Sequence, residues 1–163
     1  MAKIVLIGAG SYVFARDIIT DVLLYPSLRD SSITLVDIDK ERLDIMTAFT
    51  RRLVEQQGFN TRIESTTNRR EALADADYVI IALRAGGWTP VLANRRAALK
   101  YGLEASPDQL GTGGVFGALR QIPAILDICH DMEKLCPDAW LINYSNPMAM
   151  ICWAINDYSH IKS

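Results

Sequence analysis

Short runs of apolar and β-branched residues alternate along the chain with longer stretches whose apolar positions recur at helical spacing. The short runs predict five strands, at residues 3–7, 33–37, 62–65, 78–83 and 140–143. The longer stretches predict six helices, at residues 11–24, 40–57, 69–73, 90–101, 114–135 and 147–158. Several predicted strands are apolar on both faces, which is typical of parallel strands covered by helices on each side.

Residues that favour helix ends agree with these boundaries. Ser11 and Asp39 stand where the N-caps of the first two helices are expected, and Gly58 and Gly102 follow helix ends where a left-handed residue is favoured. Regular alternation of strands and helices implies a parallel sheet wound by right-handed crossovers. We therefore predict an α/β fold, a doubly wound parallel sheet that forms one domain over residues 1–163. The last four residues stand where another strand would begin, so we expect the sheet to be truncated before its last strand or strands.

A glycine-containing turn joins the first predicted strand to the first predicted helix. In Gly8-Ala9-Gly10-Ser11, Gly8 would permit the tight turn and Gly10 would let a pyrophosphate approach the backbone closely. The start of the following helix offers free N–H groups and the positive end of the helix dipole. Val13 stands where the usual fingerprint has a third glycine, so the turn is a weak signal when it is taken alone.

An acidic residue at the end of the second predicted strand strengthens this interpretation. Asp37 can accept hydrogen bonds from the ribose hydroxyls of NAD, and its charge would repel the 2′-phosphate of NADP. Asp37 could instead serve only to form the turn, and Asp39 is interpreted as a helix cap. Gly8, Gly10, Ser11 and Asp37 together predict a Rossmann-like NAD-binding domain.

Two later loops are expected on the nicotinamide side of the coenzyme. Residues 83–87 follow the fourth strand and residues 143–147 follow the fifth, and ligands of such sheets bind outside the carboxyl ends of the strands. Asn146 offers an uncharged amide that could bind a sugar or hydroxy-acid hydroxyl, or could cap the next helix. Residues 111–114 are either a second anion-binding turn or a flexible helix entrance, and the spacing does not separate the two.

Composition narrows the class of partner and the compartment. Half of the residues are hydrophobic and the formal net charge is −2, so no attraction to nucleic acid or to an anionic membrane is expected. Apolar runs fall short of the roughly 18 residues of a membrane span, and the N-terminal run is too short for a signal peptide. These features predict a cytoplasmic protein.

The cysteines are expected to pack rather than to bind metal. Cys129, Cys136 and Cys152 are odd in number and lack paired spacing, so we predict buried, reduced thiols. Cys129 and His130 are neighbours on a predicted helix and point about 100° apart, which makes them poor ligands for one ion.

Six motifs, spread over essentially the whole chain, are specific when they are taken jointly. They are Ile7-Gly8-Ala9-Gly10-Ser11, Val36-Asp37-Ile38-Asp39, Ala76-Asp77-Tyr78-Val79, Lys100-Tyr101-Gly102-Leu103, Gly113-Gly114-Val115-Phe116 with Ala118-Leu119-Arg120, and Ile142-Asn143-Tyr144-Ser145-Asn146-Pro147-Met148. In order and spacing they resemble the N-terminal domain of glycoside hydrolase family 4, whose members depend on NAD and a metal. Cys136-Pro137-Asp138-Ala139 and Asn146-Pro147-Met148-Ala149-Met150 are most similar to the melibiase-type α-galactosidase branch.

The resemblance implies that the whole polypeptide hydrolyses α-glycosides, expected to be α-galactosides, by a redox–elimination–addition mechanism. NAD would take a hydride from the sugar and return it, and Mn²⁺ or another divalent metal would act as a Lewis acid. The resemblance assigns the pyrophosphate to Gly8, Gly10 and Ser11, the adenosine ribose to Asp37, and sugar hydroxyls to Asn146.

The same resemblance implies what the chain does not contain. The metal ligands and the base of the family lie in a C-terminal catalytic domain that is absent from this chain, so we expect no metal ligand here and no activity of the chain alone. Asp108 matches an acidic position of the family and is the candidate catalytic residue. Val91-Leu92-Ala93 stands where phospho-sugar members are expected to have an arginine, which favours an unphosphorylated sugar. We expect a homo-oligomer that binds a small sugar.

Two other functions fit parts of this pattern. A lactate/malate-type NAD-dependent 2-hydroxyacid dehydrogenase shares the glycine turn, the acid after the second strand and a loop like Asn146-Pro147. Arg84 or the Arg95-Arg96 pair would then bind a carboxylate, but the helix entrance at residues 113–123 argues against this function. A module that senses NAD without chemistry would need the coenzyme site alone.

Overall fold

Five parallel strands form one sheet in the order β3-β2-β1-β4-β5. The structure is a computed structural model, which describes residues 1–103 and 111–163. The strands are β1 (Lys3–Ile7), β2 (Ser32–Val36), β3 (Arg62–Thr66), β4 (Tyr78–Ile81) and β5 (Trp140–Asn143). The helices are α1 (Phe14–Leu24), α2 (Lys40–Gln57), α3 (Arg69–Leu73), α4 (Trp88–Lys100), α5 (Gly111–Leu135) and α6 (Met148–Tyr158), and Pro26–Leu28 forms one 3₁₀ turn.

Two apolar clusters cover the two faces of the sheet. Leu6 of β1 points to the face covered by α1 and α2, where it belongs to a cluster with Ile19 and Met46. Val5 and Ile7 point to the other face and belong to a cluster with residues of α3, α5 and α6. Because a strand sends successive side chains to opposite faces, a strand covered on both sides must be apolar throughout. The predicted doubly wound parallel sheet is confirmed.

The carboxyl ends of four strands lie in one row. Ile7 at the end of β1 is in register with Val36 of β2 and with Ile81 of β4, and Ile81 is in register with Asn143 of β5. The chain order reverses at β1, between β2 on one side and β4 on the other. The loops after these four strands therefore emerge side by side at the point where such sheets bind ligands.

Two helices begin earlier than the sequence predicts. α4 begins at Trp88 rather than at Pro90, because Pro90 lies in the first turn, where backbone N–H groups have no helical partner. α5 begins at Gly111, so residues 111–114 lie inside the helix rather than before it. Glycine has low helix propensity, which is why the sequence indicated a loop there. The other predicted bounds agree with the structure to within three residues.

Ion pairs fix α3 against α5. The buried carboxylate of Asp131 accepts hydrogen bonds from Arg69 Nε at 2.8 Å and from Arg70 Nη1 at 2.9 Å. Asp127, one turn earlier on α5, forms a second ion pair with Arg69. A buried charge is tolerated only when it is paired and hydrogen-bonded, so these four side chains specify how the short helix α3 packs.

The last residues of the chain pair with the edge of the sheet. Lys162 forms a parallel bridge with Trp140, and the Leu141 amide donates to the Lys162 carbonyl at 2.8 Å. Ile161 is buried in the cluster under α5 and α6. Within residues 1–103 and 111–163, no helix combines the length and the apolar character needed to cross a membrane.

Candidate coenzyme-binding site

The glycine turn after β1 fits closely against the residues that follow β4. Gly8 has a φ of +93°, and a Cβ at this position would lie 2.4 Å from the Ala82 carbonyl oxygen. The amides of Gly8 and Ala9 both donate to the Val36 carbonyl, at 2.9 and 3.0 Å. Only glycine can occupy the first position of this turn, which lies between β2 and β4.

The start of α1 presents backbone N–H groups at the same edge of the sheet. The amides of Tyr12 and Val13 donate to no acceptor in the described part of the chain. Ser11 Oγ accepts a hydrogen bond from the Phe14 amide at 3.3 Å, and the Ala15 amide donates to the Ser11 carbonyl at 3.0 Å. α1 itself begins at Phe14 with Val13 as its N-cap and no side-chain cap hydrogen bond, so the prediction that Ser11 is the N-cap is wrong by two residues, and Ser11 only orders the turn before the helix. The two unpaired amides beyond Ser11 form a site that favours an anion.

The Asp37 carboxylate orders the turn beside these amides. Its Oδ2 accepts from the Gly10 amide at 2.8 Å and its Oδ1 accepts from the Asp39 amide at 2.9 Å. A Cβ on Gly10 would lie 2.8 Å from this Oδ2, so the second glycine is required for the contact. Each carboxylate oxygen has room for a second hydrogen bond, and Asp37 therefore keeps acceptors for a ribose. Asp39 caps α2 by accepting from the Arg42 amide at 3.2 Å, as predicted.

The loops after β4 and β5 are bonded to each other through two buried polar side chains. Ser145 Oγ accepts from the Leu83 amide and donates to the Leu83 carbonyl, both at 3.1 Å. Gln121, on α5, accepts from the Ala85 amide through Oε1 at 2.7 Å. Its Nε2 donates to the Leu83 carbonyl at 3.1 Å and to the Asn146 carbonyl at 3.3 Å. The two loops that were expected to flank the nicotinamide thus form one connected unit.

Asn146 presents its side chain at the mouth of the sheet. The Asn146–Pro147 peptide bond is cis, and α6 begins after Pro147 without a side-chain cap. The alternative role of Asn146 as a helix cap is therefore wrong. Its side-chain amide makes no hydrogen bond to residues 1–103 or 111–163, whereas Asn143 orders the loop by accepting from the Ser145 amide at 2.9 Å. The Asn146 amide is thus available to a ligand.

Two arginines line a small crevice between these loops and α5. Arg84, Arg120 and Asn146 all line it. The Arg84 guanidinium lies over the Trp88 ring, 3.9 Å from its centroid. With its amide oxygen turned towards Arg120, Asn94 accepts from that guanidinium at 2.8 Å. Asp108, the candidate catalytic residue, lies outside the described residues.

Two of the three cysteines, Cys129 and Cys136, are buried as predicted, whereas Cys152 lies beside the end of β5 and accepts from Asn143 Nδ2 at 3.7 Å. Cys129 and Cys136 belong to the core cluster, and burial raises the pKa of the Cys129 thiol to about 11. Cys152 is half-buried, and His130 is exposed. Among residues 1–103 and 111–163, no three His, Cys, Asp or Glu side chains are grouped closely enough to hold a metal ion.

Gln121 and Ser145 are the site residues that the sequence analysis did not single out. A signal for Gln121 was present, because it lies four residues after Gly117 and four before Ile125, on the buried face of α5. A polar residue on an apolar helical face needs a hydrogen-bond partner. Ser145 carried no such signal, since its partner is the backbone of Leu83, 62 residues away.

The sequence of the chain matches a known protein family. The profile described as "Family 4 glycosyl hydrolase" matches residues 3–163. An α-galactosidase of Bacillus subtilis is 40% identical over 165 residues, which is 100% of this chain and 38% of that protein. A probable 6-phospho-β-glucosidase of the same organism is also 40% identical, over 98% of this chain and 36% of its own length. The chain thus spans about a third of the length of the curated relatives it matches.

Solved structures agree with the family and with the fold. The 6-phospho-β-glucosidase of Thermotoga maritima, solved with manganese, NAD⁺ and glucose-6-phosphate, has a TM-score of 0.86 and 28% identity. The match covers 95% of this chain and 37% of that one. The malate dehydrogenase of Plasmodium falciparum has a TM-score of 0.69, over 99% of this chain and 42% of its own. At 17% identity, it is similar in fold alone.

Proposed function

The chain belongs to family 4 of the glycosyl hydrolases, and we propose that it is the NAD-binding, N-terminal part of a glycosidase of that family. One observation carries the proposal. The unpaired amides of Tyr12 and Val13 stand beside a glycine turn whose other neighbour is the Asp37 carboxylate. Donors for a pyrophosphate and an acceptor for a ribose are thus combined at one edge of the sheet, at the reversal of strand order.

The residues at this edge of the sheet would bind and orient the coenzyme. Gly8 and Gly10 let the backbone approach the pyrophosphate, and Ser11 orders the helix start that faces it. Asp37 would accept from the hydroxyls of the adenosine ribose. Asn146 would bind sugar hydroxyls beside the nicotinamide. NAD, when bound, supplies the acceptor for a hydride taken from the sugar.

The divalent metal of the proposed enzyme would be held by residues outside this chain. The described residues contain no group of three suitable ligands, and Cys129 lies in the apolar core cluster.

The substrate proposed for the whole protein is an unphosphorylated α-galactoside. The chain is 40% identical to the B. subtilis α-galactosidase over its full length, and apolar Val91-Leu92-Ala93 stands where phospho-sugar members are expected to have an arginine. The chain is equally identical to a probable 6-phospho-β-glucosidase. The experiment must therefore compare the α-galactoside with and without a 6-phosphate.

A polypeptide that carries this chain and extends to the length of the relatives tests the proposal. We expect hydrolysis of 4-nitrophenyl α-galactoside only when NAD and Mn²⁺ are both present, with kcat/KM at least about tenfold above that for the 6-phosphate. The Gly8→Ala variant should be inactive, because the added Cβ meets the Ala82 carbonyl. Gly58→Ala is the matched control, since Gly58 also has a positive φ but faces open space.

Three results would contradict the proposal. Hydrolysis that does not depend on NAD would show that the proposed coenzyme site is not needed for the reaction. A preference for the 6-phosphate would make the proposed substrate wrong and leave the family function intact. Oxidation of 2-hydroxy acids without cleavage of glycosides would favour the dehydrogenase.

A further inference from the structure

We propose that Gln121 is a positioning residue, which locks the loop after β4 to the loop after β5. It would thereby hold the nicotinamide end of NAD in a fixed relation to the Asn146 side chain. The inference rests on the proposed function, because it presupposes NAD bound at the glycine turn. It extends that function to a residue of α5 that makes no hydrogen bond to the glycine turn or to Asp37.

Gln121 lies where the buried face of α5 passes from the core to the site. Gly117, Gln121 and Ile125 follow each other at four-residue intervals and share this face. Ile125 belongs to the core cluster, whereas a Cβ on Gly117 would lie 3.6 Å from Pro147 Cδ. The helix therefore approaches the loop after β5 at Gly117, and one turn later it sends a polar side chain between the two loops.

Gln121 is only 6% exposed, and both the oxygen and the nitrogen of its side-chain amide are hydrogen-bonded. Its oxygen accepts from Ala85, and its nitrogen donates to Leu83 and to Asn146. Two carbonyl oxygens from different loops thus face one amide nitrogen. Methionine would fill the same space without any of these bonds, and ionised glutamate would have no donor for the two carbonyls.

The two ends of the coenzyme would depend on Gln121 to different degrees. The loop after β4 is fixed by Gln121 and by Ser145, since both side chains donate to the Leu83 carbonyl. The pyrophosphate and the adenosine ribose would instead contact Gly10, the start of α1 and Asp37, and Gln121 makes no hydrogen bond to that group. Loss of the Gln121 amide should therefore weaken binding at the nicotinamide end and leave the ADP end intact.

Titration calorimetry of this 163-residue chain with NAD and with ADP tests the inference. In the Gln121→Met variant we expect the Kd for NAD to rise about tenfold, while the Kd for ADP stays within about twofold of the wild-type value. Gln56→Met is the matched control, because Gln56 is exposed on α2, and both of its Kd values should be unchanged. Circular dichroism and thermal melting show whether each variant is folded.

The two ligands separate positioning from general structural support. A parallel loss of NAD and ADP affinity in the folded variant would overturn the inference, and so would unchanged NAD affinity. If Gln121→Met does not fold, Gln121→Leu carries the same test, because leucine is uncharged, is no larger than glutamine and lacks both the donor and the acceptor. Wild-type chain that binds neither ligand would contradict the proposed function itself, whereas wild-type binding with no selective loss contradicts the Gln121 inference alone.

Discussion

At the scale of single residues, Asp37 combines a structural contact with the acceptors proposed for the coenzyme. Its carboxylate bonds the amides of Gly10 and Asp39, and these bonds hold it beside the start of α1. An aspartate that is already ordered by the turn loses little conformational freedom when a ribose binds. The two interpretations of Asp37, turn former and ribose ligand, are therefore compatible in one side chain.

The Asp37→Asn variant measures the second of these roles. We expect the Kd for NAD to rise about tenfold, because a charged acceptor of two ribose hydroxyls becomes a neutral amide. The preference for NAD over NADP should shrink as well, since the charge that repels the 2′-phosphate is removed. Titration calorimetry gives the Kd values for NAD and for NADP.

Asp39→Asn is the control for this variant, since Asn and Asp are equally good N-caps. It removes a charge only two residues away and should leave both affinities unchanged. If Asp37→Asn bound NAD as tightly as the wild type does, Asp37 would be a turn former alone.

Residues whose type is dictated by backbone geometry could be predicted from the sequence. A Cβ on Gly8 would meet Ala82, and one on Gly10 would meet Asp37. The general pattern of dinucleotide-binding turns already requires glycine at these two positions, so both could be predicted. Gln121 could not be predicted in this way. Its partners are backbone groups 25 to 38 residues away, and only the fold brings them together.

At the scale of elements, the helix α5 joins the core to the site. Its middle packs on the sheet through Ile125 and Met132, and its first turns pack against the loop after β5. The sequence predicted the helix from residue 114 because apolar periodicity begins there. It could not predict the start at Gly111, since the glycines at residues 111, 113 and 114 have low helix propensity.

The contact between α3 and α5 depends on Asp131, which is buried and bonded to both Arg69 and Arg70. We expect Asp131→Asn to lower the free energy of unfolding by about 2 kcal/mol, because the amide keeps only one acceptor oxygen for the two arginines and the partly buried Arg69 keeps Asp127 as its only ionic partner among the described residues. Urea denaturation followed by circular dichroism makes the measurement. Asp138→Asn, at a fully exposed aspartate paired with Lys162, should change stability by less than about 0.5 kcal/mol.

The neighbouring Asp127 adds a pH dependence of known sign. The hydrogen bond from Arg69 lowers the pKa of the Asp127 carboxyl below its ordinary value of 3.8. A carboxylate with a depressed pKa stabilises the folded state above the unfolded-state pKa and loses this contribution as the pH falls through the folded-state pKa. Asp127→Asn should therefore be slightly less stable than the wild type at pH 7, with the difference disappearing in strong acid. An equal difference at both pH values would contradict this role of Arg69.

At the scale of the whole molecule, the position of the site follows from the strand order. The register of four strands brings Val36, Ile7, Ile81 and Asn143 into one row, so loops that are far apart in sequence meet at one edge. The alternation of strands and helices was sufficient to predict this sheet. The homo-oligomer and the cytoplasmic location stay predictions. The identity of the sugar also stays a prediction, because the chain spans only 38% and 36% of the two B. subtilis relatives.

A crystal structure of the chain with NAD at saturating concentration tests the central claim most directly. We expect the pyrophosphate within hydrogen-bond distance of the Tyr12 and Val13 amides, with the adenosine ribose on the Asp37 carboxylate. The nicotinamide should lie towards the loops that Gln121 joins. NAD bound elsewhere on the surface, or no NAD beside these amides at saturating concentration, would contradict the account.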